Sequence, residues 1–360
     1  MNKKINVGFI IGKDDYYTDK PDFEVPYKYW YKQRGYEPYI SIDIAVINDL
    51  IKKHSDELNF DLIFPKDITM ERLQKNDINF SPSYDMVYSF WDKKSKDMPQ
   101  GRFHEMRNIY ENKKSKLFPF PQMYIFHRNK GKYYKYLKKN NIPVLPTFYI
   151  KNTDERDTDK IIKKIVKMGF NDFITKPELG GWSKGFKRWN LDDIIKNKSK
   201  FENYLNNKKI LEYPSIIFQP DVKSFKENWE IRSFWFNGKF KYAIGTKHNF
   251  KTHEEDIATS IPKKDLDKIK LIGKKVLNIL PKNIVNSVNV KPVMVRIDFG
   301  CCYPDNSRKY FVNEIEMESA NMFGDIAVEQ GIDVVSIYSD TFYDKIKELQ
   351  KLKYIKIKNA

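Results

Sequence analysis

The chain has 360 residues, of which 41% are hydrophobic and 31% are charged, a composition that fits folded domains and argues against general disorder. No apolar run approaches the roughly 20 residues that a membrane-spanning helix needs, so no membrane partner is expected. The formal net charge of +17 fits either a lysine-rich solvated surface or attraction of ATP, an anionic substrate or a polyanionic partner.

Residues 1–122 alternate strand and helix signals, which predicts an open α/β domain with a mostly parallel sheet. The first apolar run is short and ends in charged residues without a small-residue cleavage site. We therefore interpret it as a buried strand rather than a signal peptide. The predicted elements are the strand Ile5–Ile11, a helix Val25–Arg34 ending at Gly35, the strand Tyr39–Ile44, the helix Ile47–Lys53, and the short strands Asp61–Pro65 and Tyr84–Tyr88.

A proline-rich break at residues 118–121 separates this domain from the rest of the chain. Asn237-Gly238 lies between two apolar runs and predicts a tight hairpin. The predicted helices are Lys130–Asn140, Asp159–Met168, Lys264–Leu280 and Phe342–Leu352, and the predicted strands are Thr147–Ile150, Phe173–Lys176, Ile210–Gln219, Trp229–Phe236 and Lys239–Gly245. We expect an α/β protein in three parts, residues 1–122, 123–218 and 219–360.

Three carboxylates lie on two short apolar segments near the end of the chain, Val293–Phe299 and Tyr310–Met317. Glu314 and Glu316 share one face of a strand because side chains alternate, and a hairpin would bring Asp298 beside them. Three carboxylates on one face repel each other unless a cation neutralises them. Mg²⁺ takes such oxygen ligands, usually together with substrate phosphates. These three residues are therefore predicted metal ligands of a nucleotide-using enzyme.

The same region holds two adjacent cysteines, Cys301 and Cys302. Neighbours in an extended strand point to opposite faces, so an ordinary disulfide between them is not expected. Two thiols without a spacing pattern indicate a reducing compartment, and we expect a cytoplasmic protein. His248 and His253 do not form a zinc signature.

A glycine-rich turn follows the predicted strand that ends at Lys176. Glycines let backbone N–H groups approach phosphate oxygens closely, and a lysine adds a point charge on the phosphates. The turn is not a P-loop, since no Gly-Lys-Ser/Thr follows at the required spacing, and an ordinary structural turn remains the alternative. The candidate phosphate-binding residues are Lys176, Gly180, Gly181, Ser183 and Gly185.

Three further motifs add candidate binding and catalytic residues. The apolar strand at Ile216–Phe218 ends in Gln219, Pro220, Asp221 and Val222, a polar edge that could offer backbone groups to an adenine ring or be a plain strand end. Glu230 and Arg232 share a strand face, either as a surface ion pair or as a ribose ligand beside a phosphate ligand. Arg296 shares a face with Asp298, where a guanidinium could stabilise developing negative charge.

Taken in order, these motifs resemble the ATP-grasp superfamily over roughly residues 125–335, and most of all its carboxylate–amine ligases. These include D-alanine–D-alanine ligases, glutathione synthetases and ribosomal-protein glutamate ligases. The segments Asn129–Lys132 and Asn141–Thr147 are also similar to a segment of that family. The resemblance implies an open α/β pre-ATP-grasp domain (1–122) followed by two α+β subdomains that clasp ATP. These are a central subdomain with a glycine-rich lid (123–218) and a C-terminal subdomain with the metal-binding carboxylates (219–360).

The resemblance also implies a role for each candidate residue. Lys176 would bind ATP phosphates together with Lys132, for which Lys130 or Lys135 is the alternative, and Gly180–Gly185 would form the mobile lid. Gln219, Pro220, Asp221 and Val222 would hold adenine, and Glu230 the ribose. Asp298, Glu314 and Glu316 would hold two Mg²⁺ ions, for which Mn²⁺ is an alternative. Arg296, with Arg232, would stabilise the transition state. The related ligases usually have asparagine where this chain has Glu316, which leaves the subfamily open.

The implied reaction is formation of an amide bond through an acyl phosphate, with an amino acid or peptide as the substrate. Two alternatives stay open. One is an ATP-grasp kinase of an anionic small molecule such as an inositol phosphate, which the net charge of +17 would suit. The other is a non-catalytic nucleotide- or polyanion-binding module. An anionic or macromolecular acceptor is also considered, and the related ligases are often homo-oligomers.

Overall fold

The computed structural model of the chain describes residues 4–12, 17–18, 24–30, 39–82, 108–109, 111–179, 185–222, 229–248, 255–258, 260–302, 309–317 and 320–355. Within these ranges, no helix is both long enough and apolar enough to cross a membrane. Within the described residues the architecture consists of three larger sheets, with helices packed against them, and two small two-stranded sheets, which confirms the predicted α/β class.

The first sheet has three strands, with β1 lying between β4 and β5 and parallel to both, as predicted. Its core is aromatic: the ring of Phe9 on β1 lies 5.6 Å from that of Phe80 on β5 and 5.2 Å from that of Phe342. The elements here are β1 (Ile5–Ile10), β2 (Tyr17–Thr18), β3 (Tyr39–Ile40), α1 (Ile42–His54), β4 (Leu58–Ile63), α2 (Met70–Lys75) and β5 (Ile78–Phe80).

A helix was predicted over Val25–Arg34, and the structure describes residues 24–30 of this region. These residues contain only a 3-10 turn at Tyr27–Tyr29, so the prediction is wrong for them. The Trp30 indole N–H donates to the carbonyl of Val25 at 2.7 Å, and its ring packs edge-on against Tyr39 at 5.6 Å. Aromatic packing, rather than helix propensity, therefore sets the local backbone.

Helix α1 begins at Ile42 instead of Ile47, because Asp43 organises its first turn. The Asp43 carboxylate accepts hydrogen bonds from the Ser41 hydroxyl at 2.6 Å and from the backbone N–H of Gly12 at 2.7 Å. An acidic side chain is favoured at this end of a helix, where backbone N–H groups lack partners. The strand predicted to reach residue 44 consequently ends at residue 40. The predicted strand at 84–88 and Gly35 lie outside the described residues.

The second sheet has four antiparallel strands in the order β6-β9-β7-β8. Phe148 on β6 and Phe218 on β9 stack at 4.6 Å in its core. The strand predicted from Ile210 is wrong in its first half, because the Asn207 side chain caps a short helix by accepting from the N–H of Lys209. The elements are α3 (Pro121–Arg128), α4 (Lys130–Lys139), β6 (Phe148–Lys151), α5 (Thr158–Lys167), β7 (Asp172–Pro177), β8 (Lys187–Asn190), α6 (Leu191–Lys196), α7 (Ser199–Leu205), α8 (Lys208–Leu211) and β9 (Ser215–Pro220).

The third sheet has five antiparallel strands in the order β12-β11-β10-β15-β16. The predicted hairpin at Asn237-Gly238 joins β10 to β11, and both residues have positive φ angles, as such a turn requires. Cys301 is a buried free thiol. The elements are β10 (Glu230–Phe236), β11 (Lys239–His248), β12 (Glu255–Ala258), α9 (Lys263–Ile279), β13 (Asn283–Val285), β14 (Val288–Val290), β15 (Met294–Cys302), β16 (Lys309–Glu316), α10 (Gly324–Val328) and α11 (Val334–Lys351).

Two helices join these sheets across the expected three-part division. Helix α4 buries Tyr133, Tyr134 and Leu137 in the core of the third sheet, although it precedes the second sheet in the chain. Helix α11 packs against α1, and Phe342 reaches the first sheet. The third sheet is therefore held from both sides, which fixes its polar face relative to α4 and β7.

Candidate active site

The hairpin of β15 and β16 brings the predicted carboxylates together. Asp298 lies opposite Glu314, and Arg296 lies opposite Glu316, so all four side chains share one face. The register shifts between Asp298 and Phe299, and Asn313 is the extra residue in β16. Such a bulge re-aims side chains near functional sites. The predicted hairpin and its shared face are confirmed.

Arg296 neutralises two of these carboxylates. Its Nε and Nη2 atoms each donate to Asp298 at 2.8 Å, and Nη2 lies 3.2 Å from Glu316. The side chains of Arg296 and Asp298 are only 6% and 3% exposed, so the pair is shielded from water. Burial raises the pKa of the Asp298 carboxyl against the opposing effect of Arg296. Burial alone would lower the pKa of Arg296, but Asp298 and Glu316 raise it, so the guanidinium stays charged.

Strand β10 adds a fourth carboxylate, Glu230, and a second arginine, Arg232, to the same face. Arg232 lies opposite Asp298, and its guanidinium stands 5.2 Å above the ring of Phe323. Glu230 accepts a hydrogen bond from the Asn313 amide at 2.6 Å and lies 3.5 Å from Arg232. Asn313 thus links Glu230, the predicted ribose ligand, to the hairpin that carries the predicted metal ligands.

Two lysines approach Glu314 from other elements. Lys130, the first residue of α4, lies 2.6 Å from the Glu314 carboxylate, and these side chains are 14% and 24% exposed. Burial would raise the pKa of Glu314, but Lys130 and Lys176 together lower it well below its usual value. Lys176, on β7, donates to the hydroxyl of Tyr134 at 3.1 Å. Burial lowers the pKa of Lys176, while Glu314 and Glu230 oppose that shift.

The structure places the three candidates for the first phosphate-binding lysine, Lys132 and its alternatives Lys130 and Lys135, in different surroundings. Lys132 is exposed on the outer side of α4. The Asn129 side chain caps the helix by accepting from the backbone N–H of Lys132, so Lys130 occupies the first turn and faces the third sheet. Lys135, the other alternative, lies 4.2 Å from the ring of Tyr149. Lys130 is the lysine of α4 that the structure places beside the carboxylates.

The glycine-rich turn is described only at its ends. Gly180, Gly181 and Ser183 lie outside the described residues. Gly185 has a φ angle of +71°, and an added Cβ would come within 2.6 Å of Pro177 and 2.8 Å of Ile210. Its carbonyl accepts a hydrogen bond from the Tyr204 hydroxyl at 2.8 Å. Both conformation and space therefore require glycine where the turn rejoins the second sheet.

The predicted adenine-binding edge lies at the end of β9. Gln219 is buried, and its amide donates to the Thr147 hydroxyl at 3.0 Å. Pro220 is the last residue of the strand. The N–H of Asp221 donates to the carbonyl of Asp172 at 2.9 Å, and its carboxylate accepts from Arg188. Both polar groups of Asp221 thus have partners in the second sheet, whereas Val222 follows at the open end of the strand.

The charges of the side chains at the site balance each other. The four described carboxylates are matched by four described cations, and two magnesium ions would add about as much positive charge as ATP adds negative charge. Carboxylate oxygens are the donors that a hard divalent ion prefers. Among the residues that the structure describes, no three His, Cys, Asp or Glu side chains are close enough to hold a metal ready-made. The eight residues are Lys130, Lys176, Glu230, Arg232, Arg296, Asp298, Glu314 and Glu316.

Two residues of the site were missed in the sequence. Tyr134 donates from its hydroxyl to the carbonyl of Asn313 at 2.6 Å, and burial raises its pKa to about 12. The signal for Tyr134 was its place four residues after Lys130, which puts both on one side of a helix. Asn313 gave no signal, because bulges are not visible in the alternation of apolar residues. The Asn321 carbonyl also accepts a hydrogen bond from Arg296, at 3.3 Å.

Neither a protein-family model nor a curated protein matches the sequence. Solved structures match this chain over nearly its whole length. D-Cycloserine synthetase DcsG is similar with a TM-score of 0.62 and 13% identity, over 94% of this chain and 99% of that one. D-Alanine–D-alanine ligase from Bacillus anthracis complexed with ATP is similar with a TM-score of 0.60 and 13% identity, over 97% of this chain and 99% of that one.

A third similar structure is the ATP-grasp ligase PsnB complexed with a phosphomimetic variant of its minimal precursor, Mg and ADP. Its TM-score is 0.54 at 14% identity, over 94% of this chain and 98% of that one. At identities this low the similarity shows the fold alone, and the coverage extends that fold over nearly the whole chain. The chain has the ATP-grasp fold of the carboxylate–amine ligases, as its motifs predicted.

Proposed function

We propose that the protein is an ATP-dependent carboxylate–amine ligase that forms an amide bond and releases ADP and phosphate. The observation that carries this proposal is the convergence of six charged side chains on one face of β10, β15 and β16 with Lys130 of α4 and Lys176 of β7. Balanced charge of this kind suits a site that must accept a polyphosphate with its divalent ions. We take Mg²⁺ as the ion and a cytoplasmic location as part of the same proposal.

The oxygen ligands Asp298, Glu314 and Glu316 would hold the divalent ions, which supply charge neutralisation on the phosphates when bound. Lys130 and Lys176 would contact the phosphate oxygens, as both lie beside Glu314 at the site. Their charge lets the electron-rich phosphates approach the carboxylates without net repulsion.

The reaction needs two displacements. A substrate carboxylate oxygen first attacks the γ-phosphorus, so that a P–O bond to ADP breaks and an acyl phosphate forms. An amine nitrogen then attacks the acyl carbon, loses a proton, and expels phosphate. Arg296, held by two hydrogen bonds to Asp298, would stabilise the charge that develops on the acyl oxygen. Its fixed orientation removes the cost of reorganising the guanidinium during the reaction.

An amino acid or a peptide is the substrate class we propose. D-Alanine–D-alanine ligases and PsnB, whose structure contains a minimal precursor, share the fold over more than nine-tenths of this chain. The identities of 13% and 14% leave the side chains that read the substrate free to differ. The acid and the amine must therefore be identified by experiment.

The test is ADP release from Mg²⁺-ATP in the presence of pools of amino acids and short peptides. Wild-type protein is compared with Asp298→Asn, and with Asp344→Asn as a matched control, since Asp344 is exposed on α11 away from the site. We expect release that requires both an acid and an amine, is lost in Asp298→Asn, and persists in Asp344→Asn. Phosphate transfer to an inositol phosphate without an amine requirement would instead establish a kinase. Binding of nucleotide or polyanion without any turnover would contradict an enzyme.

A further inference from the structure

Tyr134 lies at a junction of three elements of the site. It is on α4, four residues after Lys130, and is almost completely buried. Its hydroxyl donates to the backbone carbonyl of Asn313 on β16 at 2.6 Å. The same oxygen accepts a hydrogen bond from the Lys176 ammonium on β7 at 3.1 Å, and that ammonium lies 5.4 Å from the centre of the tyrosine ring.

The direction of these bonds follows from the chemistry of a phenol. A tyrosine hydroxyl has one proton and can also accept. Because the proton is used on the Asn313 carbonyl, the oxygen presents only lone pairs to Lys176. The ammonium is thereby held by a neutral acceptor, and the ring face beneath it adds a cation–π attraction.

A neutral partner has a specific advantage for a phosphate-binding lysine. An ammonium has three N–H donors, and the phenol occupies one of them. A carboxylate in the place of the phenol would hold the lysine in an ion pair that an incoming phosphate would have to break. A lysine without any partner would adopt many rotamers before the phosphate binds. Fixing one rotamer on binding would cost conformational entropy, and this cost would weaken the affinity for phosphate.

We propose that Tyr134 is a positioning residue that fixes the Lys176 ammonium for the nucleotide phosphates. This inference rests on the proposed function, since Lys176 is taken to bind those phosphates. The same position of Tyr134 also explains how the second sheet, which carries β7, is held in place beside the carboxylate hairpin. One phenol oxygen joins β7 to β16, and Asn313 continues the link to Glu230.

The test compares Tyr134→Phe with Tyr136→Phe. Tyr136 is on the same helix, and its hydroxyl also donates to a backbone carbonyl, that of Ile279, at 2.7 Å. Both variants lose one phenol-to-carbonyl bond, but only the first loses a lysine partner. Dissociation constants for Mg²⁺-ADP and Mg²⁺-ATP are measured by calorimetry. We expect Tyr134→Phe to weaken binding about tenfold, as for loss of a hydrogen bond to a charged group, and Tyr136→Phe to leave it unchanged.

A mutant cycle separates positioning from a general structural effect. In a Lys176→Met background the phenol has no ammonium to hold, so adding Tyr134→Phe should weaken binding no further. Wild-type affinity in Tyr134→Phe, or an equal and additive loss in both backgrounds, would overturn the inference while the proposed function stands. Failure of the wild-type protein to bind either nucleotide would instead refute the proposed function. Thermal unfolding of each variant verifies that the compared proteins are folded.

Discussion

Replacing Lys130 with methionine tests where the first phosphate-binding lysine lies. The Lys130 ammonium is 2.6 Å from Glu314, whereas Lys132, two residues later, is exposed on the opposite side of α4. Lys130→Met and Lys132→Met remove the same charge from the same helix. The first should damage both the fold and nucleotide binding, and the second should damage neither.

The expected magnitudes follow from burial. Breaking a buried ion pair by removing one partner costs about 3–5 kcal/mol. The side chains of Lys130 and Glu314 retain 14% and 24% exposure, so we expect the low end, about 3 kcal/mol. For a chain of 360 residues that unfolds cooperatively, this lowers Tm by about 4 °C. Loss of a charge-assisted bond to phosphate, worth about 1.5–3 kcal/mol, should weaken Mg²⁺-ATP binding at least tenfold.

Calorimetric titration with Mg²⁺-ATP and thermal unfolding at neutral pH measure the two effects. The double variant Lys130→Met with Glu314→Gln isolates the effect on stability, because it removes the unpaired buried charge. It restores neither the phosphate contact nor the proposed metal ligand Glu314. Stability should return in part, and binding should stay weak. Damage from Lys132→Met comparable to that from Lys130→Met would refute the assignment made from the structure and favour the position predicted from sequence.

Three other substitutions probe the site and its support. Glu316→Gln should keep turnover within about tenfold of wild type in a steady-state assay, because the amide still presents an oxygen to Arg296; complete loss would make Glu316 an essential ligand. Burial lowers the pKa of Lys176, so as the pH rises kcat/KM for ATP should begin to fall at a pH below the usual lysine pKa. Lys176→Arg should shift this fall to higher pH. Coincident pH profiles of the wild type and the variant would contradict this. Gly273→Ala on α9 would press a methyl group onto the Trp235 indole, and should destabilise the fold by about 1–2 kcal/mol in urea unfolding despite better helix propensity; unchanged stability would show that the indole can move.

The carboxylate hairpin could be predicted from the sequence because it depends on two local rules. Side chains alternate along strands, and two strands joined by a turn pair with each other. Asp298 and Glu314 therefore met as expected. The shared face of Glu230 and Arg232 follows from the same alternation, and pairing of β10 with β15 placed it beside the hairpin.

The remaining errors come from packing between distant segments. The rotation of α4 about its axis is set by burial of Tyr133 and Leu137 against the third sheet. That rotation brings Lys130, rather than Lys132, to Glu314. Asn313 is part of the site because β16 has a bulge at this residue, and no turn-forming residue in the sequence marks that bulge. The aromatic contacts of Trp30 replaced a predicted helix, since the partner ring lies nine residues further along the chain. None of these contacts can be read from local pattern alone.

The most direct test of the proposed reaction follows the oxygen of the substrate carboxylate. The acid that stimulates ADP release, labelled with ¹⁸O in its carboxylate, is incubated with its amine partner, Mg²⁺-ATP and the protein. An acyl phosphate transfers one carboxylate oxygen to the phosphate that leaves, so mass spectrometry should find one ¹⁸O in the released phosphate and an amide product. Unlabelled phosphate with both ¹⁸O atoms retained in the product, or a stable phosphorylated product without an amide, would contradict a ligase.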